Sequence, residues 1–357
     1  MFKLLKYSIS IIAIFVVLVI VLLRVPSVQD GILDFAISGL INTNSPLVSE
    51  DALSAIVCGS RSPLPNPDRA ETCILIKAGE KVFIVDAGDG SASNLRTFGI
   101  PYEFEAILIT HLHSDHFSDL QDLHLGSWVA GRKEKLKVYG PEGIEEITKG
   151  FERAYALDAK YRYDHHGDQV LVKEANGYET ITLTPNQKPF YDDGFLRITA
   201  FLVEHEPVEP SLGFRFDYKG RSIVLSGDTI YSENLISFAQ DADVLFMEAL
   251  SMDIIGRLQK AQEEIGNAGN AKIMFDIQDY HASPMDGAKI AKQANVKHLI
   301  YYHLAPAPVI GLMETVFTRG VSEIFSDFTM SNDGTHVVLP LNSEAVSYTH
   351  LTLPTKP

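Results

Sequence analysis

Four side chains that bind metals lie within six positions of one another, directly after a short apolar segment. Ala106–Ile109 predicts a buried strand, and Thr110-His111-Leu112-His113-Ser114-Asp115-His116 follows it. Side chains at i and i+2 of an extended segment point to one side, so His111 and His113 can bind one ion. Asp115 and His116 can turn toward a second ion as the chain bends. This pattern predicts a metal centre at the end of a strand, because such a cluster is difficult to explain structurally.

Short runs of β-branched residues predict strands early in the chain, and strands alternate with helices later. Leu53–Cys58, Thr72–Lys77 and Lys81–Asp86 are predicted strands, and a short turn joins the last two. Helical and strand patterns then alternate as far as a last strand at Thr335–Leu339. With 46% hydrophobic residues, the chain can bury a sizeable core. The order favours two mixed sheets with outer helices over a simple doubly wound parallel sheet.

The first residues predict a membrane anchor. Ile9–Leu23 is apolar apart from Ser10 and approaches the ~20 residues that cross a bilayer. Lys3 and Lys6 on its outer flank predict a cytoplasmic amino terminus and an extracytoplasmic, periplasmic body on a single-pass membrane protein. A cleaved signal peptide stays open, although no small-residue cleavage site follows the apolar run. We therefore expect an anchor or signal over 1–28 and a connector over 29–50.

The charge of the chain argues against a polyanionic partner. The net charge is −16, and residues 1–24 hold three basic residues and no acidic one, so the remainder carries −19. Such a body repels nucleic acid unless its basic residues are clustered. We therefore expect a small-molecule partner and no nucleic acid, with a homodimer as an open possibility.

The two cysteines and the last residues affect the fold less. Cys58 and Cys73 have no metal-binding spacing, and they could pair in an oxidising compartment. Because the sequence gives no distance between them, we expect two buried, unpaired strand cysteines.

Residues 346–357 resemble translated read-through of a sequencing adaptor, so we expect a non-native tail outside the fold.

The histidine segment resembles the signature H-x-H-x-D-H of the metallo-β-lactamase superfamily. The resemblance runs from about Leu53 to Leu339 and is strongest to the ribonuclease Z and arylsulfatase-like branch. The opening phrase of that branch matches Cys58–Ala70, and its Asp-x-Gly-x-Gly turn matches Asp86–Gly90. The resemblance implies an α/β fold, a four-layer αββα sandwich over 51–341, here preceded by one transmembrane helix. It also implies that Asp86 supports the histidine loop without touching the metal.

The resemblance implies three further metal ligands, each at the end of a predicted strand. They are His205, Asp228 and His303. The first implied site is His111, His113, His205 and Asp228, and the second is Asp115, His116, Asp228 and His303. The two oxygens of Asp228 would bridge two Zn²⁺ ions, with Mn²⁺ or Fe²⁺ as alternatives.

Other residues are implied to act on the substrate. His281 resembles the histidine of ribonuclease Z that serves the leaving group, and Glu248 resembles the glutamate that orients it. Met247 and Leu250 depart from the polar residues that flank this glutamate in the family, and a capping or surface role for His281 is the alternative. Asp115 is also expected to take part in catalysis.

A later segment resembles a substrate pocket of the arylsulfatase-like branch. It contains Arg162, His165 and His166, and an arginine beside paired histidines could bind an anionic ester. An ordinary half-buried loop is the alternative interpretation.

The sequence therefore predicts a membrane-anchored, dinuclear metal hydrolase of small esters. The expected substrates are an aryl sulfate, a phosphodiester or a carboxylic ester, attacked by a hydroxide that bridges the two ions. A ribonuclease Z-like phosphodiesterase is the first alternative, but residues 117–156 show no sign of the arm that holds tRNA in that family. A β-lactamase, an iron-dependent sulfur dioxygenase and a scaffold with vestigial metals are further alternatives.

Overall fold

The computed structural model describes residues 2–41, 45–48, 50–185 and 188–351. The chain forms two compact units, Met1–Ser45 and Pro46–Pro357. The first unit contains two helices, and the second contains both sheets and the remaining helices.

The described residues of the amino-terminal unit do not support the predicted single membrane-spanning helix. Its helices are α1 (Phe2–Leu22) and α2 (Pro26–Ile41). No single helix among the described residues is both long and apolar enough to cross a membrane. Ile11–Leu22 and Pro26–Ser38 meet the criteria of length and composition only as a pair, and the pair is bent by 82°. Part of the predicted connector is also helical, because Pro26 can begin a helix at its first position.

An eight-stranded sheet forms the first half of the second unit. Its order is β15-β14-β1-β2-β3-β4-β5-β6, antiparallel up to β3 and parallel from β3 to β6. Its strands are β1 (Ala52–Gly59), β2 (Cys73–Ala78), β3 (Lys81–Val85), β4 (Ala106–Leu108), β5 (Leu136–Gly140), β6 (Tyr178–Thr182), β14 (Thr335–Pro340) and β15 (Ser347–His350).

A seven-stranded sheet forms the other half. Its order is β13-β12-β11-β10-β9-β8-β7, antiparallel from β7 to β10 and parallel from β10 to β13. Its strands are β7 (Tyr191–Asp192), β8 (Leu196–Val203), β9 (Ser211–Tyr218), β10 (Arg221–Leu225), β11 (Val244–Leu250), β12 (His298–Ala305) and β13 (Phe328–Met330).

The two sheets pack face to face, as alternating side chains predict. On β1, Leu53, Ala55 and Val57 enter the core between the sheets, whereas Ile56 and Cys58 point to the other face. Phe214 and Phe216 of β9 supply the same central core from the second sheet. The faces of both sheets are therefore apolar, which explains why each needs a covering layer of helices.

Helices cover the outer face of each sheet. The first sheet carries α3 (Ser91–Thr97), α4 (Leu120–Val129) and α5 (Ile144–Ala154), whose buried residues share one core with its outer side chains. The second sheet is covered in the same way by α7 (Glu233–Ala239), α8 (Met252–Glu264), α10 (Pro284–Gln293), α11 (Gly311–Phe317) and α12 (Val321–Ile324). The remaining helices are α6 (Ala156–His166) and α9 (Ala268–Asp276). The result is the predicted α/β architecture with two sheets.

Cys58 and Cys73 form a disulfide, so the expectation of two unpaired cysteines is wrong. They lie on adjacent antiparallel strands, and a bulge at the end of β1 brings their Cα atoms to 5.0 Å. The register of β1 and β2 sets the distance between the two cysteines, which could not be read from the sequence.

Part of the predicted non-native tail, residues 346–357, belongs to the first sheet. β15 pairs antiparallel with β14 from Ser347 to His350, and the ring of Tyr348 stacks on His298. The expectation that residues 346–357 lie outside the fold is therefore wrong for this strand. Residues 352–357 lie outside the described part of the chain.

Candidate metal centre

The histidine loop follows β4, and Asp86 holds it from the end of β3. Asp86 has a left-handed backbone conformation, with φ of 60°. Its carboxylate accepts hydrogen bonds from the backbone amide and the hydroxyl of Thr110, at 2.8 and 2.9 Å. It also accepts one from Nδ1 of His116 at 2.8 Å. Because Asp86 holds both ends of the histidine loop, it fixes the orientation of the ligand atoms that the loop carries.

The turn after β3 needs a glycine at position 88 because a side chain does not fit there. A Cβ atom here would clash with the backbone oxygen of Asp115. The amide of Ala87 also donates to the oxygen of His116 at 2.7 Å. The Asp-x-Gly-x-Gly turn therefore packs its backbone directly against the histidine loop, which any larger residue would displace.

Two more candidate ligands come from the second sheet. His205 follows β8, and its Nδ1 donates to the backbone oxygen of Tyr280 at 2.8 Å. Asp228 follows β10 after Gly227, whose φ of 62° and close approach to the oxygen of Leu212 exclude a side chain. Because β8 and β10 are both antiparallel to β9, their carboxyl ends lie at the same edge of the sheet.

A β-bulge directs the last candidate ligand, His303. Glu248 of β11 pairs with Tyr302, and the next residue of β11 pairs with Leu304, so His303 is the extra residue. Its φ of 46° is uncommon for a residue with a side chain. Bulges redirect a side chain near functional sites, and this one turns His303 toward Asp228 and Asp115.

The seven candidate ligands lie in neighbouring groups, and four of the histidines approach one oxygen, Oδ2 of Asp228. The Nε2 atoms of His116 and His303 lie 3.3 and 3.2 Å from it. The Nε2 atoms of His111 and His205 lie 3.8 and 4.0 Å from the same oxygen. His113 is next to these two histidines, with its Nδ1 3.0 Å from Nε2 of His111. The structure thus brings together both ligand sets inferred from the sequence.

Three of the histidines are held neutral. Burial lowers the pKa of His111 well below its usual value, lowers that of His113, and lowers that of His205 to about 4. A neutral imidazole has a lone pair for a metal, whereas a protonated one has none.

The other set is more strongly charged. Burial opposes the charged form of His116 and of His303, but Asp228 and neighbouring carboxylates raise both pKa values. Burial likewise opposes ionisation of Asp115, but His116 and His303 lower its pKa to about 2. In the same way His303 and His116 hold the pKa of Asp228 well below its usual range, against burial. The carboxylates are therefore anionic and can bind cations, and a bound cation would take the place of the protons on His116 and His303.

Unpartnered buried atoms fit a metal centre at this point. Nε2 of His116 and Oδ1 of Asp228 are buried without a hydrogen-bond partner among the described residues. Buried polar atoms are nearly always satisfied, so these two imply a missing partner. Imidazole nitrogens and carboxylate oxygens are the donors that Zn²⁺ and similar ions take, and His111, His113, Asp115, His116, His205, Asp228 and His303 would hold them.

His281 lies beside the cluster and contacts Glu248. Its Nδ1 is 3.1 Å from Oε1 of Glu248, and the same oxygen accepts from the amides of Ala282 and Thr229 at 3.0 and 3.2 Å. Glu248 is fully buried, and Nδ1 of His281 is 4.0 Å from Oδ2 of Asp228. The ring is therefore fixed in orientation next to the candidate metal ligands.

The predicted substrate pocket is not brought to this cluster. Arg162, His165 and His166 lie on α6, a helix with no buried residue. Among the described residues, Arg162 pairs with Asp158 at 2.8 Å, and the two histidine rings contact each other. Their role in a pocket stays a prediction.

Sequence reasoning missed Tyr280 and Thr110. The ring of Tyr280 lies 5.2 Å from that of His205 and 4.9 Å from that of His281. The hydroxyl of Thr110 lies 3.1 Å from Nδ1 of His111 and also donates to Asp86. The position of each, next to a predicted site histidine, was the only signal in the sequence.

Comparison with known proteins gives the family. Residues 66–251 match the family model of the metallo-beta-lactamase superfamily. The chain belongs to this superfamily. A superfamily relative, ribonuclease Z from Mycobacterium bovis, is 31% identical over 285 residues, which cover 79% of this chain and 96% of that protein.

Solved structures of the metallo-beta-lactamase superfamily share the fold. The metallo-beta-lactamase fold protein YhfI from Bacillus subtilis has a TM-score of 0.60 at 19% identity, covering 81% of this chain and all of its own. The short form of human tRNase Z has a TM-score of 0.57 at 21% identity, covering 80% of this chain and 99% of its own. At these identities the likeness shows the fold alone.

These comparisons confirm the resemblance and correct the expected partner. The superfamily and the likeness to ribonuclease Z are confirmed, whereas the arylsulfatase-like interpretation and a membrane assignment gain no support. The expectation of a small-ester substrate and no nucleic acid is wrong, because the curated relatives are ribonucleases. Net charge is a weak guide to the partner of a protein because it averages over the whole surface and does not locate the charges.

Proposed function

We propose that this protein is a dinuclear, metal-dependent phosphodiesterase that cleaves RNA. The observation that carries the proposal is the clustering of seven metal-binding side chains, four of whose histidines lie within 4.0 Å of Oδ2 of Asp228. The 31% identity to ribonuclease Z, which extends over 96% of that relative, supports RNA as the substrate class. Zinc is the metal we propose, because the ligand set is imidazole and carboxylate.

The roles of individual residues follow from their contacts. When bound, two such ions would supply Lewis acidity and an activated water. Asp228 would hold them together, and Asp86 would keep His116 and the loop around it in place. Nδ1 of His281 faces Glu248, so Nε2 is the nitrogen that can give a proton to the leaving oxygen of the RNA.

The test is hydrolysis by the full chain reconstituted with Zn²⁺. The probes are a transfer RNA transcript with extra 3′ nucleotides and bis(p-nitrophenyl) phosphate, with a chromogenic cephalosporin and an aryl sulfate beside them. We expect cleavage of both phosphodiesters and no turnover of the other two. Cleavage of the aryl phosphate without the RNA would contradict the RNA substrate, and turnover of the cephalosporin or sulfate alone would contradict the proposal as a whole.

A further inference from the structure

Tyr280 contributes to the candidate site in two separate ways. Its backbone oxygen accepts a hydrogen bond from Nδ1 of His205 at 2.8 Å. Its ring contacts both His205 and His281, with centroids 5.2 and 4.9 Å away. The side chain therefore packs against both a candidate metal ligand and the candidate general acid, whose rings also contact each other.

The backbone contact does not explain why the residue is a tyrosine. Any residue at this position could supply the oxygen that orients His205. The side chain of Tyr280 is half-buried, and its phenolic hydroxyl has no hydrogen-bond partner among the described residues. A donor without a protein partner beside the candidate ligands is free to bind a substrate.

The chemistry of the side chain fits a contact with substrate. A phenolic hydroxyl is an uncharged hydrogen-bond donor. Such a donor can interact with an anionic oxygen without competing with the metal ligands for cations.

We propose that the Tyr280 hydroxyl donates a hydrogen bond to a non-bridging oxygen of the phosphodiester as its negative charge grows during hydrolysis. This inference rests on the proposed phosphodiesterase function and adds a further catalytic residue to it. The main alternative is that the ring stacks on a nucleobase of the RNA, which would need the aromatic ring but not the hydroxyl.

Two variants of Tyr280 and a base-free substrate separate these roles. Tyr280→Phe removes the hydroxyl and keeps both the ring and the backbone oxygen, whereas Tyr280→Leu also removes the ring. On bis(p-nitrophenyl) phosphate, which has no nucleobase, we expect Tyr280→Phe to lower kcat by about 10- to 100-fold and to change KM by less than about threefold. Metal content and melting temperature should stay at the wild-type values. Tyr155→Phe is the matched control, because it removes the same atom from an exposed tyrosine with a ring contact to Phe151.

Unchanged kcat in Tyr280→Phe, with a loss in Tyr280→Leu on RNA alone, would overturn the inference in favour of stacking. Loss of metal from Tyr280→Phe would overturn it in favour of a structural role. An inactive wild-type protein contradicts the proposed function as well, whereas an active wild type with an unaffected phenylalanine variant contradicts this inference alone.

Discussion

At the residue scale, Asp228 is the side chain on which the centre depends. Its Oδ2 atom lies within 4.0 Å of nitrogen atoms from both candidate ligand sets. Asp228→Asn keeps the shape but removes the charge that can bridge two cations. We expect loss of bound metal and a fall in kcat of at least about 100-fold. Elemental analysis and phosphodiester hydrolysis measure the two effects.

The control for Asp228→Asn is the same change at Asp217, a surface carboxylate of β9 that pairs with Arg215. Asp217→Asn should keep metal and activity. If Asp228→Asn kept both its metal and its activity, the bridging role of Asp228 would be contradicted.

The proton-donating role of His281 predicts a dependence on the leaving group. An alkoxide leaving from RNA needs a proton, whereas p-nitrophenolate is a stable anion and does not. We expect His281→Ala to lower kcat on RNA by about 100-fold or more and to affect bis(p-nitrophenyl) phosphate far less. Equal losses on the two substrates would show that His281 does not act as the general acid.

His124, outside the centre, makes the stability of the protein sensitive to acid. It is buried, its Nε2 accepts from the amide of Gly177 at 2.9 Å, and burial lowers its pKa to about 3. Between pH 6.5 and pH 3 the unfolded chain binds a proton here that the folded chain does not, so stability falls as pH falls. Urea unfolding from pH 4.5 to 7.5 should show a shallower pH dependence for His124→Gln. An unchanged slope would contradict the assignment.

At the element scale, the sequence predicted that the candidate ligands lie at strand ends but not the direction in which each ligand side chain points. The apolar runs before His111, His205, Asp228 and His303 predicted strand ends, and parallel strands bring such ends to one edge. Ser283 and Pro284 likewise predicted the start of α10, which has a capping box with Asp286. The bulge at His303 and the backbone oxygen of Tyr280 could not be predicted, since they depend on register and on contacts between distant segments.

The disulfide between β1 and β2 gives a prediction at the same scale. It closes a segment with a sequence separation of 15, within which Arg61 donates a hydrogen bond to the backbone oxygen of Arg69. A closed loop of that length stabilises a folded chain by about 3 kcal/mol, chiefly by restricting the unfolded one. We expect Cys58→Ala with Cys73→Ala to lower the free energy of unfolding by about this amount. Reductant should destabilise the wild type and leave the double variant unchanged, and a wild type indifferent to reductant would contradict the pairing.

At the scale of the whole molecule, composition was the weakest guide. A net charge of −16 predicted no nucleic-acid partner, yet the curated relatives are ribonucleases. The motif and the order of strands determined the family correctly, because they specify positions in the fold. The extracytoplasmic location stays a prediction, to which the disulfide adds support because such bonds persist in oxidising compartments.

The most direct test of the account is the position and number of metal ions in crystals of the protein grown with Zn²⁺. Anomalous scattering at the zinc edge should show two ions on either side of Asp228, one contacting His111, His113 and His205, the other contacting Asp115, His116 and His303. A single ion, or ions bound away from Asp228, would contradict the dinuclear centre on which the proposed hydrolysis depends.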